Sequence, residues 1–199
     1  MARTEDPAGR ERILSAAATL FYLNGVRAVG MAEVIAAAGC GKNMLYRHFP
    51  SKAALVAAYL RRVRAEREKS TTRALAAAAA GGPGSAGGPG GAGSAGSAGE
   101  QLVALVGEVA AWVQRSDYRG CAFRNYLTEF PAGDDEPAVV AREYLRDTRR
   151  RVDELVAALG RPKVTGDRVW LLVDALYGGT GAPPQVAVDW AGELLAVAR

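Results

Sequence analysis

Along almost the whole chain apolar residues return every three or four positions, and no stretch of four to eight residues joins β-branched enrichment to strict alternation. That spacing puts apolar side chains on one face of a helix and leaves no material for a sheet, so the chain is predicted to be all-α. Ala, Leu, Glu and Arg, all strong helix formers, agree with the period. A first helix is predicted from about Arg10 to Leu23, with Ile13, Leu14, Ala17, Leu20 and Phe21 inward and Asn24-Gly25 as its stop. A second covers about Met31 to Ala38 and buries Val34 and Ile35, and Gly39 is able to turn left-handed at its end. A third runs from Lys42 to Phe49. Pro50 then breaks the chain, and Ser51 caps a long helix through Leu55, Val56, Tyr59 and Val63.

Residues 81–99 contain only Gly, Ala, Ser and Pro. With nothing to bury they cannot offset the entropy of ordering, so this stretch is predicted to be a flexible connection. At random-coil scaling its ends lie roughly 22–26 Å apart, enough to join a helix pair. Its glycines lack the Gly-Lys-Ser/Thr ending of a phosphate loop and the triplet period of collagen. Five further helices are expected after it. They lie around Leu102–Val113, Cys121–Glu129, Pro137–Leu159, Asp167–Tyr177 and Pro184–Val197. The third of these opens with Asp134, Asp135 and Glu136 at the positive end of its dipole and Pro137 in its first turn.

With 49% hydrophobic residues in 199, the chain has ample material for a core. No run of eighteen apolar residues is present, and "MARTEDPAGRER" lacks the apolar stretch of a secretory signal, so a cytoplasmic protein with no membrane partner is expected. Cys40 and Cys121 are too few and too far apart for a disulfide framework, and with His48 as the single histidine neither a metal site nor a cofactor is expected. Charge is distributed unevenly: residues 1–80 carry 13 Lys/Arg and 6 Asp/Glu, residues 81–199 carry 12 and 15, a balance of +7 followed by −3. A basic leading part attached to a mildly acidic remainder suits a chain of which one part meets a polyanion, although solvated helix faces would show the same excess.

Two short helices joined by a glycine turn, the second polar on its outer side, are the sequence expression of a helix-turn-helix. In the stretch "AGCGKNMLYRHFPSK", residues 38–52, the recognition helix is then Lys42 to His48. Its first residues face base edges: Lys42 reaches guanine acceptors, Asn43 pairs with adenine and Met44 touches a thymine methyl. Tyr46, His48 and Lys52 follow as phosphate contacts that hold the register, while Leu45 and Phe49 anchor the helix inward. Plainer roles stay open: Tyr46 packed on the first helix, His48 a partly buried histidine, Lys42 and Lys52 solvated. Arg3, Arg10 and Arg12 are either a basic arm on the nucleic-acid backbone or disordered charge.

The pattern Ile35-Ala36, Ala38-Gly39, Lys42, Leu45-Tyr46, His48-Phe49, Ser51-Lys52, Leu55 resembles the N-terminal signature of the tetracycline-repressor (TetR) family of bacterial transcription regulators. The likeness covers roughly residues 10–60. Residues 118–131, "YRGCAFRNYLTEFP", are also similar to a stretch in the ligand-binding half of some members. The resemblance implies about nine helices, three forming a DNA-binding head and the fourth linking it to a helical ligand-binding and dimerisation body. The corresponding divisions here are 1–55, a connecting helix 56–80, the loop 81–99 and a body 100–199. It implies a homodimer on double-stranded DNA with a palindromic operator, a repressor released by an unknown small molecule. Within the body it implies an apolar pocket, for which Trp112, Phe123, Tyr126, Tyr144 and Trp170 are candidates, though core packing explains aromatics equally well. The last two helices would form the dimer interface through Leu172, Leu176, Trp190 and Leu194. Departures from the family pattern are Gly30 in place of a Thr or Ser cap, Gly41 where Ser is common, and Cys40 where valine is frequent.

An enzyme finds little support: there is no second histidine for a triad or metal set, no phosphate loop and no nucleophile elbow. Cys121 near a helix start suits either a thiol sensor or, more commonly, a packing residue. The rivals to a ligand-released repressor are a ligand-independent or activating DNA-binding regulator, and a helical small-molecule-binding protein that does not bind DNA.

Overall fold

A computed structural model describes residues 6–80, 94–179 and 181–196. Among the described residues it contains nine helices and no strand: α1 (Pro7–Asn24), α2 (Met31–Ala38), α3 (Lys42–His48), α4 (Lys52–Ala79), α5 (Ser94–Val113), α6 (Ala122–Glu129), α7 (Glu136–Ala158), α8 (Lys163–Gly178) and α9 (Gln185–Ala196). The predicted elements are all present. Three of them start earlier than their apolar pattern suggests, α8 at Lys163 instead of Asp167. Helix α1 begins at Pro7 because Asp6 accepts a hydrogen bond from Gly9 N at 2.9 Å and Pro7 occupies the first turn, a polar start that apolar periodicity does not register. Helix α5 begins at Ser94, inside the predicted connection, where Ala and Ser continue a helix that Leu102 anchors. Positions 81–93 of that connection, and Arg3, lie outside the described residues.

The chain divides into two compact units, Met1–Ala65 with Cys121–Leu145, and Glu66–Gly120 with Arg146–Arg199. The segment 121–145, which the expected divisions assign to the body, thus clusters with the head. In the first unit α1, α2 and α3 pack around Ile13, Leu14, Ala17, Phe21, Val34 and Leu45, all buried. Phe21 meets Tyr59 of α4 with ring centroids 5.8 Å apart. Burial raises the Tyr59 hydroxyl far above the ordinary phenol range. Three surface ion pairs tie the start of α4 to its neighbours: Arg62 to Glu11 at 2.6 Å, Arg61 to Glu136 at 2.6 Å and Arg64 to Glu143 at 3.7 Å. In the second unit α5 packs against α8 and α9, and its core holds Leu102, Leu105, Val106, Val109, Val152, Val156, Val169 and Val173. No helix among the described residues is long and apolar enough to cross a membrane.

Candidate nucleic-acid interface

The turn between α2 and α3 is set by backbone conformation. Gly39 adopts φ +57°, ψ +41°, the left-handed region that an L side chain resists, and Cys40 N donates to Ile35 O at 3.2 Å across it. Two residues later Gly41 is extended and starts α3. Gly30, the side-chain-free start of α2, is served by Glu33, whose carboxylate accepts from Gly30 N at 2.7 Å. Half of a capping box therefore replaces the missing Thr or Ser. At the other end Ser51 Oγ accepts from Ala54 N at 3.0 Å, which makes it the cap of α4.

Within α3 the period of 3.6 separates two faces. Leu45 is fully buried and Phe49, just past the helix, is 2% exposed beneath the Arg10 guanidinium at 5.0 Å. Lys42, Asn43, Tyr46 and Arg47 are exposed, and their i, i+4 spacing sets Lys42 beside Tyr46 and Asn43 beside Arg47. None of the four has a side-chain hydrogen bond or ion pair among the described residues. The guanidinium groups of Arg61, Arg62 and Arg64 by contrast all meet carboxylates. The face thus presents two cations, an amide and a phenol with their hydrogen-bonding capacity unspent. Arg47 was not among the predicted contacts. Its spacing from Asn43 is the signal that finds it.

Other predicted contacts take different positions. Tyr46 keeps 40% of its surface exposed, so it is not a packing residue of α1. Met44 is half-buried, its sulfur 3.3 Å from where a Cβ on Gly9 would stand. The thioether thus sits close to the Gly9 backbone at the start of α1. His48 is half-buried, with Nε2 enclosed and without a partner among the described residues. Lys52 is half-buried at the first position of α4, its ammonium 3.4 Å from Arg27 O. A cation there opposes the helix dipole, a placement that favours an anion nearby.

The α1–α2 turn is held by a residue more than a hundred positions away. Glu129, the last residue of α6, accepts from Val26 N at 3.1 Å and from Arg27 N at 2.6 Å, and its backbone carbonyl accepts from the Arg27 guanidinium, which also stacks over Phe130 at 5.0 Å. Gly25, at φ +83°, admits this approach, since a Cβ there would lie 3.0 Å from Glu129 Oε1. No local pattern marks Glu129 as a contact of the head. Glu129→Ala is expected to lower stability by roughly 1.5–3 kcal/mol, as bonds to a charged acceptor are worth, and to loosen the turn that precedes α2. Glu129→Gln, which keeps one acceptor, should lose less; equal losses in urea unfolding would show that the carboxylate does not hold the turn.

The five proposed pocket aromatics divide between the two units. Phe123 and Tyr144 stack on each other with centroids 3.9 Å apart, and Tyr126 stacks on Phe130 at 4.9 Å, all in the first unit. Tyr126 Oη donates to Asp135, at 2.8 and 2.9 Å from the two carboxylate oxygens. Burial, then that carboxylate, pushes its hydroxyl far above the usual phenol range. In the second unit Trp112 lies under the guanidinium groups of Arg67 at 4.4 Å and Arg115 at 4.6 Å, and Trp170 under that of Arg149 at 5.9 Å. Two cavities of about 550 Å³ in the second unit are lined by none of these five. Among the predicted interface residues Leu176 is 8% exposed and belongs to the second unit's own core. Leu172 and Leu194 are half-buried against that core, and Trp190 is 56% exposed. The outward apolar positions are Val164, Leu171 and Val186, which the predicted set omits.

Residues 13–59 match the family model described as bacterial regulatory proteins, tetR family. Over that span, which includes α2, α3 and the start of α4, the chain matches the TetR family. The chain is 47% identical over 52 residues to an uncharacterised HTH-type transcriptional regulator of Mycobacterium tuberculosis, found in strains CDC 1551 / Oshkosh and ATCC 25618 / H37Rv; the match spans 26% of each protein. About a quarter of the curated relatives' length is therefore covered. Its fold is similar to that of a TetR-family transcriptional regulator from Streptomyces coelicolor, with TM-score 0.74 and 23% identity over 96% of this chain and 94% of the other. It is similar too to a candidate TetR transcriptional regulator from Streptomyces avermitilis, with TM-score 0.68 and 26% identity over 96% and 97%.

Proposed function

We propose that this chain is a homodimeric transcription regulator that places α3 in the major groove of a palindromic operator and represses until a small molecule bound in the body releases it. The observation that carries the reading is the outer face of α3: Lys42, Asn43, Tyr46 and Arg47 stand exposed, without side-chain partners among the described residues, on a short rod that Leu45 and Phe49 clamp to the head. Lys42 and Asn43, in the first turn, face base edges, and Tyr46, Arg47, His48 and Lys52 face phosphates. Two copies related by a two-fold axis read two half-sites. The exposed apolar stripe of α8 and α9 supplies their contact, since patches of this kind mark association surfaces. The releasing small molecule binds within the body. Such a ligand acts by favouring a state whose heads no longer fit successive grooves.

Selection of bound sites from random double-stranded DNA, followed by anisotropy titrations, tests this reading. Lys42→Ala and Asn43→Ala are expected to cost about 1–3 kcal/mol on the selected site and to relax preference at one base position. Lys52→Ala should weaken binding to every sequence alike and flatten the salt dependence by about one phosphate contact. Uniform loss for all three variants would refute the division between base and phosphate contacts, and absence of DNA binding at low salt would refute the function.

A further inference from the structure

Helix α8 exposes Val164, Arg168, Leu171 and Ala175, at intervals of four, three and four, and α9 exposes Val186, Trp190 and Glu193, at four and three. Alternating intervals of this kind form the seam along which one helix inserts its side chains into another. Here the seams face outward from the chain's own core. Each contains one charged residue, a cation on α8 and an anion on α9. Arg168 and Glu193 line one groove of about 550 Å³ together with Leu171 and Trp190. Neither has a side-chain partner among the described residues. The other arginines near them are engaged: Arg149 with Asp153 at 3.0 Å and with Asp167, which the hydrogen bond from Arg149 holds below the ordinary carboxylate range, and Arg161 with Leu195 O at 2.7 Å.

The charges decide what covers this face. A purely apolar partner would bury a guanidinium and a carboxylate without compensation, which is strongly unfavourable. A second copy brings the same two groups, and in an isologous contact residue i meets j while j meets i. A patch with one cation, one anion and an apolar seam is complementary to itself. We infer that Arg168 of each protomer pairs with the partner's Glu193, two symmetry-related ion pairs that set the register of the α8–α9 seam and select this chain's own copy over chains with other charges there. This rests on the homodimer proposed above. The pairs supply specificity more than affinity, which the apolar seam supplies.

Sedimentation of the full chain over a concentration series, with helix content followed by circular dichroism, tests the pairing. Arg168→Glu and Glu193→Arg each place like charges opposite one another twice and are expected to weaken self-association by ~30-fold or more. Mixed in equal amounts they should form a heterodimer, because one chain then carries two carboxylates and the other two guanidinium groups. The double variant R168E/E193R should regain the homodimer yet fail to exchange with the wild-type chain. Arg168→Gln and Glu193→Gln, which introduce no repulsion, should lose only a few-fold, a pattern that unfolding would not produce. A wild-type dimer whose reversals associate normally, or are not rescued by mixing, overturns the pairing and leaves the dimer intact. A wild-type chain that stays monomeric at all concentrations overturns the homodimer and the pairing together.

Discussion

Arg67→Ala is expected to lower the unfolding free energy by about 3–5 kcal/mol, the typical cost of removing one partner from a buried ion pair. Arg67 lies in α4 with its side chain 5% exposed, and Glu108 of α5 is 10% exposed. The two are bidentate, with both N–O distances 2.9 Å, while Trp112 covers the guanidinium at 4.4 Å and the Tyr177 hydroxyl lies 3.4 Å from Nη2. Truncation would leave a carboxylate enclosed among apolar groups. The pair itself need not add much over a hydrophobic replacement, because desolvating two charges consumes most of their attraction. Arg67→Met combined with Glu108→Leu should therefore recover most of the loss. Guanidinium unfolding of the single and double variants decides the matter; a loss below about 1 kcal/mol for Arg67→Ala would show that water reaches Glu108.

Phe123→Ala should cost a similar ~3–5 kcal/mol, as truncation of a well-packed aromatic does. Phe123 is 1% exposed and its ring lies 19° from parallel to that of Tyr144, so the variant loses both buried area and the aromatic contact. Phe123→Leu, which keeps most of the volume, should cost under about 1.5 kcal/mol. A pocket-lining role would give the opposite result: near-native stability for Phe123→Ala and altered response to ligand. Thermal denaturation of both variants, with DNA affinity measured well below the transition, separates the two roles.

Which parts of the molecule were legible follows from how local their causes are. Ser51 caps α4, Gly39 turns the chain and Leu45 and Phe49 point inward because each depends on neighbours within a few residues. Met44 shows where that reading ends. Its sulfur lies beside Gly9, thirty-five positions earlier, a neighbour that no local pattern names. Helix α8 shows a second limit. It carries Val164 and Leu171 as well as Val169, Leu172, Val173 and Leu176, so apolar residues occupy two stripes and periodicity alone cannot say which faces inward. Leu176 was assigned to the outer stripe and lies in the inner one.

By itself the sequence determined the all-α class, the order of the helices and the cationic face of α3, since hydrophobic spacing, capping residues and exposed charge act over one or two turns. Only the tertiary structure decided that Glu129 holds the α1–α2 turn, that Arg67 is matched by Glu108, and that Arg168 and Glu193 have no side-chain partner among the described residues. Those outcomes depend on which helix faces pack together, and side chains on different helices carry no local signal of one another until packing brings them within a few ångström.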